Sequence, residues 1–189
     1  MSIYGNIPAS ENECFILRPV KKEDLDDLVK VYGDRNALPF FNSDNCDGDV
    51  FFYDTAEKME KAMEFWDYSA KNGWFLRLSI VDKSDGAVIG TVEICLRVSE
   101  DEFNGMGILR VDVRSDFETE KSLRGIFTLA APLTHKLLNC PSVITKAPGY
   151  AVERIEALRK NGFEKSPHKL IGKDGTLYGG YWITLPAAE

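Results

Sequence analysis

The spacing of apolar residues changes period several times along the chain, and each change marks an element. Cys14–Arg18 reads as a short strand stopped by Pro19. Leu25, Leu28, Val29 and Tyr32 recur at i, i+3, i+4 and i+7, which predicts a helix ended by Gly33, with acids at its N-terminal end. Asp54-Thr55-Ala56-Glu57 reads as a capping box with Asp54 as the cap. Met59, Met63, Trp66 and Ala70 then give a second helix to about Asn72. From Trp74 the period falls to two. Trp74–Val81, Ala87–Val98 and Met106–Val113 form an antiparallel meander, turned at Ser84-Asp85-Gly86 and at 100–105. A third helix is expected over Ser122–Asn139, kinked or split by Pro132. A strand at Val143–Ala147, a helix at Val152–Asn161 closed by Gly162, and strands from Phe163 and over Leu177–Leu185 complete the pattern.

The order is β-α-α-β-β-β-α-β-α-β-β, which implies one α/β (α+β) domain over residues 1–189. Its central sheet is mixed, mostly antiparallel and flanked by helices. Between Gly33 and Tyr53 the pattern breaks down. Phe40, Phe41, Phe51, Phe52 and Tyr53 sit among Asn, Asp and Gly. Such a stretch serves either as a pocket wall or lid, or as a seal over the adjacent core. It would also serve a homodimer interface.

Composition narrows the function. The 189 residues carry a formal charge of -7, which argues against non-specific nucleic-acid binding. Four cysteines without C-x-x-C spacing and only two histidines leave no basis for a metal site. The cysteines read as reduced thiols in a cytoplasmic protein. Met1–Asn12 shows no signal-peptide pattern, and no run approaches the ~20 apolar residues of a membrane span. On the strand through residue 93, Thr91, Glu93, Cys95 and Arg97 share one face. If desolvation raises its pKa, Glu93 is a candidate general base; the alternative is a solvated face or an ion pair with Arg97. His135 reads as a packed or surface histidine and His168 as exposed.

Three stretches resemble landmarks of the GNAT (Gcn5-related N-acetyltransferase) superfamily. Phe15-Ile16-Leu17-Arg18-Pro19 through Asp24 is similar to its opening strand-to-helix entry. Gly86-Ala87-Val88-Ile89-Gly90 through Ile94 is similar to its third strand, and Ile155 through Glu164, with Asn161-Gly162-Phe163, to its last helix and the strand after it. The resemblance covers about Cys14 to Leu185. It implies transfer of an acetyl group from acetyl-CoA, as co-substrate, to a primary amine of a small molecule or a protein N-terminus. The charge and the lack of an apolar span, for their part, lead to the expectation of no nucleic-acid and no membrane partner.

The resemblance places the cofactor between the fourth and fifth strands, with main-chain groups near Val111 and Val113 on its pantetheine arm. Arg114, Lys121, Ser122, Leu123 and Arg124 then surround the pyrophosphate at a helix N-terminus, where unpaired N–H groups favour anions. The chain departs from that pattern. No glycine lies between Arg114 and Arg124, Asp116, Glu118 and Glu120 intervene, and Leu158 stands where the family often has a tyrosine. Tyr178 is the remaining candidate proton donor, with Tyr150 in a different geometry. These departures keep a second expectation open: a non-catalytic domain of the same fold that binds CoA or another small ligand, or an interaction module.

Overall fold

A computed structural model describes Ile7 and residues 9–184. Among the described residues ten strands and four α-helices follow one another: β1 (Ser10–Glu11), β2 (Phe15–Pro19), α1 (Leu25–Tyr32), α2 (Ala56–Lys71), β3 (Leu76–Asp82), β4 (Val88–Leu96), β5 (Gly107–Val113), α3 (Glu120–Leu138), β6 (Val143–Lys146), α4 (Val152–Lys160), β7 (Phe163–Lys165), β8 (Leu170–Ile171), β9 (Leu177–Tyr178) and β10 (Tyr181–Thr184). Eight of them form one sheet in the order β1-β2-β3-β4-β5-β6-β10-β7, and β8-β9 form a separate hairpin. Every pairing is antiparallel except β5 with β6.

Most expected elements are present, with four local differences. The strand expected over Leu177–Leu185 is broken at Gly179-Gly180, where Gly180 turns at φ +83°. β9 therefore leaves the main sheet, while β10 inserts between β6 and β7; Leu185 lies outside the described residues. Helix α3 starts two residues early, capped by Thr119, and runs unbroken through Pro132. The cap of α2 is Thr55, whose Oγ1 accepts from Lys58 N–H at 3.3 Å. Asp54 instead pairs with Lys58 Nζ at 2.5 Å. The two-residue strand β1 gives too short a pattern to read in advance.

Register fixes which residues meet. Leu76, Ile94 and Leu109 form one cross-strand row and Leu78, Val92 and Val111 the next, facing α3 and α4 in the main core. Gly90 allows β4 and β5 to close at this point, since a Cβ there would lie 2.2 Å from the Asp112 carbonyl oxygen. The alternate residues point to the opposite face, under α1, α2 and the 33–55 segment. There Phe41 and Phe51 pack with Tyr32, Met59 and Trp66 in a second core. Those two aromatics seal the core, while Phe40 stays outside it, edge-on to Tyr150 with centroids 6.0 Å apart.

Candidate functional site

Beneath α1 and α2 the sheet carries charge. Arg77, Glu93 and Arg110 are cross-strand neighbours on β3, β4 and β5, and Ser79, Thr91 and Asp112 form the adjacent row. Arg77 donates through Nη1 to Tyr32 Oη at 2.6 Å and to Asp112 Oδ2 at 3.1 Å, and through Nη2 to Glu93. Its guanidinium lies 4.5 Å from the Trp66 ring. Arg110 donates to the other Glu93 oxygen. Burial alone would raise the Glu93 pKa, but Arg110 and Arg77 outweigh it and hold the carboxyl below its ordinary range.

That arrangement corrects the expected raised pKa. Glu93 is a buried carboxylate ionised between two guanidiniums, and its partners are Arg77 and Arg110 rather than Arg97. Burial has the opposite outcome at Asp112, pushing its carboxyl up despite Arg77. Arg97 pairs with Asp101 and donates to the Ile171 carbonyl at 2.7 Å.

The strands part at the end of this belt. β5 and β6 pair only at Gly107–Val143 and Ile108–Ile144. Beyond that point β6 continues beside β10, with Thr145 opposite Trp182 and Lys146 opposite Tyr181. The backbone of Leu109–Val113 is thereby released on its β6 side. Two sets of side chains span the resulting gap.

On the charged face Asp44 connects the two strands. Its carbonyl accepts from Arg110 Nη2 at 3.0 Å, and both carboxylate oxygens accept from Lys146 Nζ at 2.6 Å. Tyr181 Oη also donates to Asp44 Oδ2, at 3.2 Å. Beside this pair opens a recess of about 270 Å³ whose wall includes Pro39, Phe40, Asn42, Asp44, Lys146 and Tyr150. Tyr150 Oη is committed to the Pro39 carbonyl at 2.5 Å. Tyr178 is half-buried, with its ring centroid 5.9 Å from Lys146 Nζ. A larger groove of about 750 Å³ lies between α2 and the β2–α1 junction, and no β5 or β6 residue lines it.

On the apolar face α4 reaches into the gap. Arg154, only 2% exposed, donates through Nη1 to the Val111 carbonyl at 2.8 Å. Its Nε and Nη2 hold Glu118 Oε1 and Oε2, each at 2.6 Å. The adjacent Glu153 accepts from the Glu120 N–H at 2.6 Å, in the first turn of α3.

The expected cofactor residues therefore divide. Val111 and Val113 stand two apart on β5, opposite Val92 and Gly90 of β4, and Arg154 meets the Val111 carbonyl in the gap. The Ser122 N–H is taken by Thr119 Oγ1 at 3.3 Å, and the Leu123 N–H by the Thr119 carbonyl at 3.0 Å. Arg114 is bound to Asp116 at 2.7 and 2.8 Å and lies over Phe117. Lys121 is exposed, and Arg124 Nε is 3.8 Å from Glu120 Oε1. Leu158 is fully buried in the core, and both His135 ring nitrogens are engaged, with the Cys140 carbonyl and Thr184 Oγ1. Burial pushes the Cys95 thiol up to about 12, which leaves it protonated. Among the described residues no group of three or more His, Cys, Asp or Glu is placed to hold a metal, and no helix is long and apolar enough to cross a membrane.

Comparison with solved structures places this architecture. An acetyltransferase of the GNAT family from Bacillus anthracis superposes with a TM-score of 0.69 at 9% identity, over 94% of this chain and 98% of its own. The chain has the GNAT acetyltransferase fold. The spermidine N-acetyltransferase of Vibrio cholerae, solved with CoA and spermine, gives 0.66 at 14% identity over 93% of this chain and 98% of that one. The ribosomal-protein-S5-alanine acetyltransferase of Vibrio fischeri gives 0.62 at 15%, over 96% and 98%. At these identities the likeness is one of fold. No protein-family model and no curated sequence matches the chain.

Arg77, Arg110, Asp44, Lys146 and Arg154 were not singled out from sequence. A usable signal exists for the first two: Arg77/Ser79 and Arg110/Asp112 are polar at period-two spacing inside otherwise apolar strands, as are Thr91/Glu93 between them.

Proposed function

We propose that this chain is an N-acetyltransferase that moves an acetyl group from acetyl-CoA to a primary amine. The parting of β5 from β6 beyond Ile108 and Ile144 carries the reading, because it releases a strand of main-chain groups beside a helix N-terminus within a transferase fold. The chain's own groups test whether such a cofactor fits. The first turn of α3 already holds an anion, the Glu153 carboxylate, and the Val111 carbonyl already accepts an N–H, from Arg154. Glu153 stands in for a phosphate and Arg154 for an amide donor. The donors and acceptor suit the cofactor, provided that these two side chains give way.

Bound acetyl-CoA supplies the activated acetyl thioester. Val111 and Val113 would then offer main-chain groups along the gap, and the Glu120 N–H, once Glu153 leaves it, would meet a phosphate, while the Ser122 and Leu123 N–H groups stay with Thr119. Lys121, Arg124 and Arg114 offset the charge of Asp116, Glu118 and Glu120 at the rim. Glu93 has a structural role, pinning Arg77 and Arg110. Tyr178, above Lys146, is the assigned proton donor. Thiol release from acetyl-CoA in the presence of an amine panel tests the reading. Tyr178→Phe is expected to lower kcat by about 10²-fold without moving the melting temperature; an unchanged kcat removes Tyr178 from the chemistry.

A second reading, a non-catalytic domain on this fold, is favoured by one observation. The gap is spanned on both faces by ion pairs, the half-buried Asp44–Lys146 and the buried Glu118–Arg154. It predicts no thiol release with any amine, from the wild type or from variants that open the gap.

A further inference from the structure

The recess beside Lys146 is lined by Asn42, one of whose donors the protein leaves unused. Asn42 is 6% exposed, and its Oδ1 accepts the Asp44 N–H at 3.1 Å, which fixes the amide orientation. Its Nδ2 is buried without a hydrogen-bond partner. The amide lies close enough to the Tyr181 hydroxyl to act on it electrostatically, but falls short of bonding geometry. A buried, unpaired amide donor costs about 1–3 kcal/mol unless a ligand supplies an acceptor.

Next to Asn42 stand one cation and one anion, Lys146 and Asp44, bound to each other. A ligand carrying both charges can exchange with that pair without a net change in buried charge, whereas a simple amine or a simple acid cannot. The volume of about 270 Å³, at roughly 30 Å³ per water-sized group, accommodates about nine such groups. Pro39, Phe40 and Pro148 give the wall an apolar side.

We propose that the recess binds a free amino acid, with its carboxylate on Asn42 Nδ2 and Lys146 Nζ and its amino group on Asp44. Binding itself does not depend on the transferase reading; naming this ligand as the acetyl acceptor rests on that reading.

The test is a calorimetric titration of the full chain with a panel of free L-amino acids, without acetyl-CoA. The best binder is then compared with its methyl ester and with its deaminated acid. Saturable binding, lost by at least tenfold in both analogues and in Asn42→Ala, is the expected result. Ser43→Phe, which fills the recess from its rim, should abolish binding while keeping the wild-type circular dichroism. If no amino acid binds at millimolar concentration, if the ester or the deaminated acid binds as well, or if Asn42→Ala and Ser43→Phe are without effect, the proposal is overturned. Binding without subsequent acetylation on adding acetyl-CoA would overturn the transferase reading and leave the amino-acid site standing.

Discussion

The two faces of one sheet solve the problem of burial in opposite ways. Toward α3 and α4, the rows through Leu78 and Ile94 bury hydrocarbon. Toward α1 and α2, the same strands bury Arg77, Glu93, Thr91 and Asp112, each 4% exposed or less. Hydrocarbon gains roughly 25 cal/mol per Å² removed from water and tolerates small changes of shape. A buried charge is tolerated only while every partner is present, because each one removed leaves an uncompensated ion. The apolar face therefore holds the fold together, and the charged face is the more brittle and the more specific. It is also the face that leads to the recess.

Adjacent residues on β4 sharpen the contrast. Glu93→Gln leaves Arg77 and Arg110 without their shared anion and should destabilise the protein by about 3–5 kcal/mol, measured by urea denaturation. A loss below about 1 kcal/mol would mean that the belt is solvated and the contrast is false. Acidification should act on the same face. Glu93, Asp24 and Asp101 all have folded pKa values below their ordinary range, Asp101 at about 2. For each, burial acts upward and is outweighed, by Arg110 and Arg77 at Glu93, by Arg18 at Asp24 and by Arg97 at Asp101. Their stabilisation is complete above the unfolded carboxylate range near pH 4 and is lost as pH falls below it. Asp112, with its pKa raised, works the other way and loses stabilising effect as pH rises through its folded value. The melting temperature should fall steeply below about pH 4, and Glu93→Gln should show a shallower acid limb than the wild type. A smaller effect belongs to the apolar face: Ile94→Val should cost about 1 kcal/mol, equally at pH 4 and pH 7. A pH-dependent cost would show that the two faces are coupled.

The contrast also explains what could be read in advance. Period-two alternation identified β3, β4 and β5 because one face is uniformly apolar. The same alternation suggested that the other face meets water, as it often does in antiparallel sheets. Here α1, α2 and the 33–55 segment cover it, so Arg77 and Glu93 became core residues. Desolvation of Glu93 was one of two readings of its strand face, and the direction of its pKa depended on Arg77 and Arg110, set by cross-strand register. Lys146 and Asp44 lie 102 residues apart in sequence and meet only through tertiary packing. The resemblance put a gap between the fourth and fifth expected strands, and the corresponding β5 and β6 do part beyond Ile108 and Ile144. Its closure by Glu153 and Arg154 follows from the packing of α4 against α3, which no local pattern encodes. The continuity of α3 through Pro132 shows the same override, since its helix is held by core contacts at Ile126, Phe127, Ala130 and Ala131.

We propose that the gap between β5 and β6 is a cofactor cleft in which α4 supplies stand-in groups. Glu153 is exposed, so replacing it frees the Glu120 N–H with little strain on the fold. Acetyl-CoA titrated calorimetrically into wild type and Glu153→Ala tests this directly. The account predicts saturable binding to both, tighter in Glu153→Ala by about 2–5-fold, the equivalent of roughly 0.3–1 kcal/mol at a helix N-terminus. No binding to either protein at millimolar acetyl-CoA, or equal affinity for both, would contradict it.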